Sequence, residues 1–236
     1  MLAPDLLPAT LIPSGFNSES FHYDVAHLIG ATVLMMGFGL LYQRRMAAVL
    51  RIFAFQAAAL AAAAAWEAYI QNAPHLYVTA AIALLFKAIA VPITLNWLIR
   101  QLGIHRQVET ALGIGPTLLI GVSLVALSIL LVLPVTARES ALTRESLALA
   151  MSVVLLGLLM MITRRNAVTQ VVGYMALENG LILAAVSAKG MPLVVEISVA
   201  FSVLVAMTLF GIFFFRIRER FDSLDINFLE SYRGDR

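Results

Sequence analysis

The sequence predicts an all-α, polytopic integral membrane protein of about seven transmembrane helices, with its N-terminus outside and its C-terminus in the cytoplasm. Three observations carry that expectation. Of the 236 residues, 61% are hydrophobic and 13% are charged, whereas soluble domains hold about 25% charged residues. Mean hydropathy is +0.91. Apolar windows of about 20 residues recur along the chain, each long enough to cross a hydrocarbon core of about 30 Å. A β-barrel would alternate with a period of two, and runs such as AAALAAAAAW at 57–66 do not.

The elements follow in order. Residues 1–22 begin MLAPDLLPATLIPSG, with three prolines and no basic segment. That argues against a cleaved leader and for a short extramembrane segment. The predicted spans are 24–42, 50–70, 76–99, 115–135, 146–163, 167–188 and 191–215. Four helices thus fall within 23–135, three within 146–215, and 216–236 form a cytoplasmic tail. Each break has a chemical cause. QRRM at 43–46 and TRRN at 163–166 put arginine pairs at an interface. QNAPH at 71–75 and SAKGMP at 187–192 bring proline with polar residues, while 100–116 adds glycines that stop and restart helices. TARESALTRES at 136–146 is the longest polar stretch between spans.

Basic residues set the orientation. With the N-terminus outside, the cytoplasmic side holds Arg44, Arg45, Arg51, Arg100, Arg106, Arg164 and Arg165, and the C-terminal end adds Arg216, Arg218, Arg220, Arg233 and Arg236. The outside holds Arg138, Arg144 and Lys189. This bias matches the positive-inside rule. In the tail, Phe221, Leu224, Ile226, Phe228 and Leu229 would leave much apolar area wet, which suggests docking onto a partner.

Several chemistries are excluded. With no cysteine, the chain cannot by itself ligate an iron–sulfur cluster. His22, His27, His75 and His105 share no ligand spacing, so no metal site is expected. Walker A, dinucleotide-binding and HExxH motifs are absent. No basic groove with interleaved aromatics suggests nucleic acid. No cofactor is expected in this chain.

Four ionisable side chains fall within spans: Glu67, Lys87, Glu178 and Glu196. A charge at the bilayer centre costs about 2.5–3.5 kcal/mol or more, and such groups mark ion or proton paths. Glu178, in GYMALENGLIL, lies near the middle of the sixth span with Asn179 beside it. It is either a proton-relay carboxylate or a neutral acid bonded to Asn179 or a backbone carbonyl. Lys87 sits near the centre of the third span and is the natural partner of Glu178. Pro92 removes a backbone N–H five residues later, so a kink or water beside Lys87 is expected. Glu196 lies about one and a half turns inside the last span and is open between relay and interfacial anchor. Glu67, between Trp66 and Tyr69, reads as an anchor in an aromatic belt. Ser202 and Asn179 are supporting polar groups.

The strings RRNAVTQVVGYMALENGLIL, GMPLVVEISVAF and FDSLDINFLESYRG resemble the membrane subunit called component E of hydrogenase-4 and formate-hydrogenlyase complexes. The likeness is sharpest over 163–234 and extends to Lys87 before Pro92. Residues 146–215 are also similar to the K-type subunit of respiratory complex I and the C-type subunit of Mrp antiporters. The resemblance implies a multi-pass subunit of the inner (plasma) membrane with no catalytic site of its own. It would pack beside antiporter-like subunits, in a complex that couples a hydrophilic redox arm to proton or cation movement. By motif Glu178 matches the buried glutamate of the K-type subunit. Relatives often carry a second acid where this chain has Ser202, which leaves Glu196 as the carboxylate of the last span. Two other readings stand beside this one: a component of a cation/proton antiporter or other transporter, and a purely structural membrane subunit.

Overall fold

The computed structural model describes residues 18–101 and 110–188. These form α1 (Ser18–Tyr42), α2 (Met46–Gln71), α3 (Pro74–Ile82), a π-helical stretch π1 (Ala83–Ala90), α4 (Val91–Gln101), α5 (Ile114–Val135), α6 (Ala141–Thr163) and α7 (Ala167–Ser187). Elements α3, π1 and α4 run on as one span. Six helices among the described residues are long and apolar enough to cross a membrane. They match the first six predicted spans. The predicted seventh span at 191–215, the tail at 216–236, Glu196 and Ser202 lie outside the described residues.

Helix ends follow local chemistry. Asn166 caps α7, its Oδ1 accepting from Val168 N–H at 2.9 Å. Ser140 caps α6, its Oγ accepting from Thr143 N–H at 3.3 Å. That cap starts α6 at Ala141, five residues ahead of the predicted span, and turns part of the polar 136–146 stretch into helix. Asn72 closes α2 with φ 51°, a left-handed conformation that asparagine tolerates, and Pro74 opens α3 where its missing N–H costs nothing. Likewise α1 begins at Ser18, so residues 18–22 of the expected extramembrane segment are helical.

Close approach is greatest between α6 and α7. A Cβ on Gly157 would lie 2.4 Å from the Leu177 nitrogen, and one on Gly180 would lie 2.7 Å from the Val154 nitrogen. Only glycine lets these backbones meet, which is how membrane helices associate when lipid supplies no hydrophobic drive. Much of α5, including Leu119, Leu130 and Val135, is exposed, as expected of a helix facing lipid.

One end of the bundle is fixed by Arg164. Its Nη2 donates to the Leu40 carbonyl at 2.9 Å and the Leu41 carbonyl at 2.7 Å. These are carbonyls of the last turn of α1, where a cation suits the helix dipole. Burial, then the neighbouring Arg44, draw the guanidinium below its ordinary value, although it stays charged at any physiological pH. The Ala111 N–H donates to the Thr163 carbonyl at 2.8 Å at the same end. The α1–α2 and α6–α7 turns, with their arginine pairs, are therefore neighbours.

The buried core falls into two apolar clusters. One, on the Arg164 side, includes Leu50, Phe53, Val91, Leu156 and Ala176. The other includes Val33, Leu60, Ala80, Val153 and Ile182. Along α2 the boundary falls between Phe53 and Leu60, along α7 between Ala176 and Ile182, and along the third span between Ala80 and Val91. Gln56, Lys87, Glu178 and Asn179 occupy these gaps. A polar layer thus crosses the middle of the bundle.

Candidate functional site: a buried lysine–glutamate pair

The layer is built by three spans. Helix α7 presents Glu178 and Asn179, π1 presents Lys87, and α2 presents Gln56. Lys87 Nζ lies 3.2 Å from Glu178 Oε2 and donates to Asn179 Oδ1 at 3.1 Å. Asn179 Nδ2 donates to Gln56 Oε1 at 3.4 Å, and Gln56 Nε2 donates to the Val33 carbonyl of α1 at 3.2 Å. Lys87 is 4% exposed, Glu178 3%, and both amides 0%, so bulk water reaches none of them.

Backbone geometry explains how a lysine reaches this position. Pro92 has no N–H to give to a carbonyl one turn back. Around it the helix widens, and the Val91 N–H bonds to the Phe86 carbonyl, five residues back. Such π-turns are rare and gather at functional sites. Within π1 Lys87 and Ala83 are buried while Leu84, Leu85, Phe86 and Ile89 are exposed, so the one charged residue of the segment is turned inward. Where a kink or water was expected beside Lys87, the structure has a π register.

The arrangement has a direction. Each donor points away from Lys87, through Asn179 and Gln56 to the Val33 carbonyl. Amides do not titrate, so this string orients the ammonium and fixes its charge without passing protons along itself. Removing one partner of such a pair would leave a buried charge uncompensated. Glu178 Oε1 differs: it is buried and has no hydrogen-bond partner among the described residues. A buried carboxylate oxygen with nothing bonded to it is unusual, and it is an atom that can accept a proton.

Of the residues singled out by sequence, the structure brings Lys87, Glu178 and Asn179 together, while Glu196 and Ser202 fall outside the described residues. Glu67 is a correction. It does not accompany Tyr69 to the surface as an interfacial anchor; Tyr69 is 60% exposed and Glu67 6%. Its Oε2 accepts from Gln71 Nε2 at 3.0 Å, and the same nitrogen donates to the Val186 carbonyl of α7 at 3.0 Å. Successive residues of a helix point 100° apart, so Glu67 and Tyr69 face opposite ways. Gln56 was missed by sequence reasoning. Its signal is a lone amide in the alanine-rich run FAFQAAALAAAAA, where an unpaired polar group would be costly.

Comparison with known proteins adds to this geometry. No protein-family model matches the chain, and no solved structure matches it at a significant level. Hydrogenase-4 component E of Escherichia coli and of Shigella flexneri are each 28% identical over 164 residues, covering 69% of this chain and 76% of theirs. The uncharacterized protein Rv0085 of Mycobacterium tuberculosis is 30% identical over 212 residues, covering 87% of this chain and 92% of the relative. This chain is therefore a multi-pass membrane protein and belongs to the family of the mycobacterial protein Rv0085, with hydrogenase-4 component E as a more distant homologue.

Proposed function

We propose that this chain is a non-catalytic membrane subunit of a hydrogenase-4-type complex, in which Glu178 and Lys87 take part in proton or cation translocation driven by redox chemistry in partner subunits. Homology to hydrogenase-4 component E supports the kind of complex. The observation that supports the role is the bare Oε1 of a buried carboxylate whose other oxygen faces a lysine. A purely structural ion pair has no need of an unbonded oxygen, and buried ionisable groups in membrane spans commonly serve ion paths. On this reading Lys87 compensates the charge of Glu178, and the amide string holds Lys87 in place. Partner subunits supply antiporter-like membrane domains and the hydrophilic redox arm.

The chain sits in the inner membrane on this reading. The end of the bundle that carries Arg44, Arg45, Arg164 and Arg165 is cytoplasmic, in keeping with the positive-inside rule. The resemblance expected from sequence between 146–215 and the K-type and Mrp C-type subunits would extend the reading to a seventh span, with Glu196 as its carboxylate and Ser202 as a hydrogen-bonding position.

The test is Glu178→Gln in the assembled complex, which keeps the shape and removes the titrating oxygen. Substrate-driven acidification across sealed vesicles should be lost while subunit composition is unchanged. Full acidification by the variant would leave only a scaffold.

A further inference from the structure

The turn between α1 and α2, at the Arg164 end of the bundle, gathers positive charge. Helix α2 is 26 residues long, and its N-cap residue Arg45 makes no side-chain cap. The Ala48 and Val49 N–H groups bond to the Arg45 carbonyl, while those of Met46 and Ala47 have no backbone partner among the described residues. A helix start with open N–H groups carries about half a positive charge and suits an anion. Arg44 and Arg45 precede it, and both are exposed.

Arg164 brings a further guanidinium to the same turn. Its Nη2 is held by the Leu40 and Leu41 carbonyls. Its Nη1 is buried and has no hydrogen-bond partner, and the residue as a whole is 2% exposed. Arg44 stands close enough to oppose its charge. A buried guanidinium without a counter-charge is costly. Yet no carboxylate lies within ion-pair distance of Arg44, Arg45, Arg164 or Arg165 among the described residues. The described acids stand towards the other end of the bundle, as Asp24, Glu67 and Glu145 do, or in its middle, as Glu178 does. The turn also lies at headgroup depth, since the apolar span of α1 ends at Tyr42 and that of α2 begins at Met46. Tyr42 and Ile162, which precede Arg44 and Arg164 by two residues each, are exposed and offer apolar surface to an acyl chain.

We propose that this turn binds the phosphate of an anionic phospholipid headgroup, contacted by Arg44 and by the Met46 and Ala47 N–H groups, with the buried Arg164 supplying charge at short range. The ligand chemistry is a phosphate ester with a net negative charge. The depth of the turn and its apolar flank favour a lipid over a free phosphate, and basic sites between membrane helices hold such headgroups. The exposed guanidinium of Arg44 can meet two phosphate oxygens at once, while Arg164 stays bonded to α1. The site is separate from the Lys87–Glu178 layer and does not rest on the translocation role.

The test uses the purified full-length chain in a neutral detergent. Native mass spectrometry counts bound lipid while phosphatidylglycerol or phosphatidylcholine is titrated in. One phosphatidylglycerol should bind ahead of the rest. Phosphatidylcholine, whose phosphate is balanced by choline, should bind about fivefold more weakly. Arg44→Gln should weaken phosphatidylglycerol binding about fivefold, the factor a basic residue near a headgroup contributes, and Arg44→Lys should keep most of it. Arg100→Gln, at an exposed position on α4 at the same end, and Arg138→Gln, at the opposite end, should leave binding unchanged. Excess inorganic phosphate should not displace the lipid; full competition would make this a site for free phosphate and remove the lipid assignment. A melting temperature near that of the parent in lipid-free detergent shows that each variant is folded. The proposal is overturned if the two lipids bind alike, which would leave the turn to another anion such as a partner chain's carboxylate. It is also overturned if Arg44→Gln binds phosphatidylglycerol as the parent does, or if Arg100→Gln weakens binding equally, the mark of a diffuse basic face. None of these readouts involves redox coupling, so they fail or succeed apart from the Glu178→Gln test.

Discussion

Lys87 Nζ and Glu178 Oε2 stand 3.2 Å apart in a layer that no bulk water reaches. The lysine owes its place to a π-helical stretch and the glutamate to its position near the middle of α7. Neither charge has another opposite charge within ion-pair distance among the described residues, so each depends on the other.

That dependence predicts a large coupling between the two positions. Lys87→Met should destabilise the purified protein by about 3–5 kcal/mol, because it leaves a buried carboxylate alone. The double variant Lys87→Met with Glu178→Gln should recover most of the loss. A double-mutant cycle of thermal or denaturant unfolding in detergent measures this. Simply additive effects would mean that the two groups do not share an ion pair.

Gly180 makes a second prediction. A methyl group there would meet the Val154 nitrogen at 2.7 Å and the Ala150 carbonyl oxygen at 2.9 Å. Backbone cannot move aside as a flexible side chain can, so α6 and α7 must separate. Gly180→Ala should cost about 1–3 kcal/mol or more, and because Gly180 follows Glu178 and Asn179 on α7, the variant should also weaken the Lys87–Glu178 coupling. The control is Ala184→Gly, on the same helix and only partly buried, which should cost about 1 kcal/mol at most.

Arg164 supplies a third. Its guanidinium holds two carbonyls of α1, at 2.9 and 2.7 Å, and hydrogen bonds to a charged group contribute about 1.5–3 kcal/mol each. Arg164→Leu should lower the melting temperature and loosen the end of α1, read as faster amide exchange at Leu40–Tyr42. Arg164→Lys should recover only part, because an ammonium lacks the planar fork that reaches two acceptors at once. Full recovery by lysine would make charge, not geometry, the source of the effect.

Much of this was legible in the sequence. Glu178 and Lys87 stood out because a charged residue in a run of some twenty apolar ones is conspicuous, and each needs the other sign. The first six spans were readable from apolar length, since a bilayer imposes length directly. The π register was not legible as such. Pro92 signalled a disturbance near residue 88, but widening and kinking both relieve a missing N–H. Gln56 was overlooked because an amide carries no charge to draw attention. The direction of Glu67 was misjudged because its neighbours Trp66 and Tyr69 were taken as its environment, whereas adjacent helical residues diverge by 100°. Phe21, His22, Trp66 and Tyr69 do form an aromatic cluster, and Glu67 points away from it into the bundle.

The connection between Lys87 and Asn179 spans 92 positions of chain, and that separation bears on how the protein is made. The ribosome delivers the third span well before the sixth, so the ammonium is in or beside the insertion machinery before Glu178 and Asn179 exist to pair with it. Its retention in the bilayer is secured only when α7 arrives. Biogenesis of this chain is therefore completed from its C-terminal half, and a stalled or shortened product would be marked by an exposed lysine where the finished protein shows none.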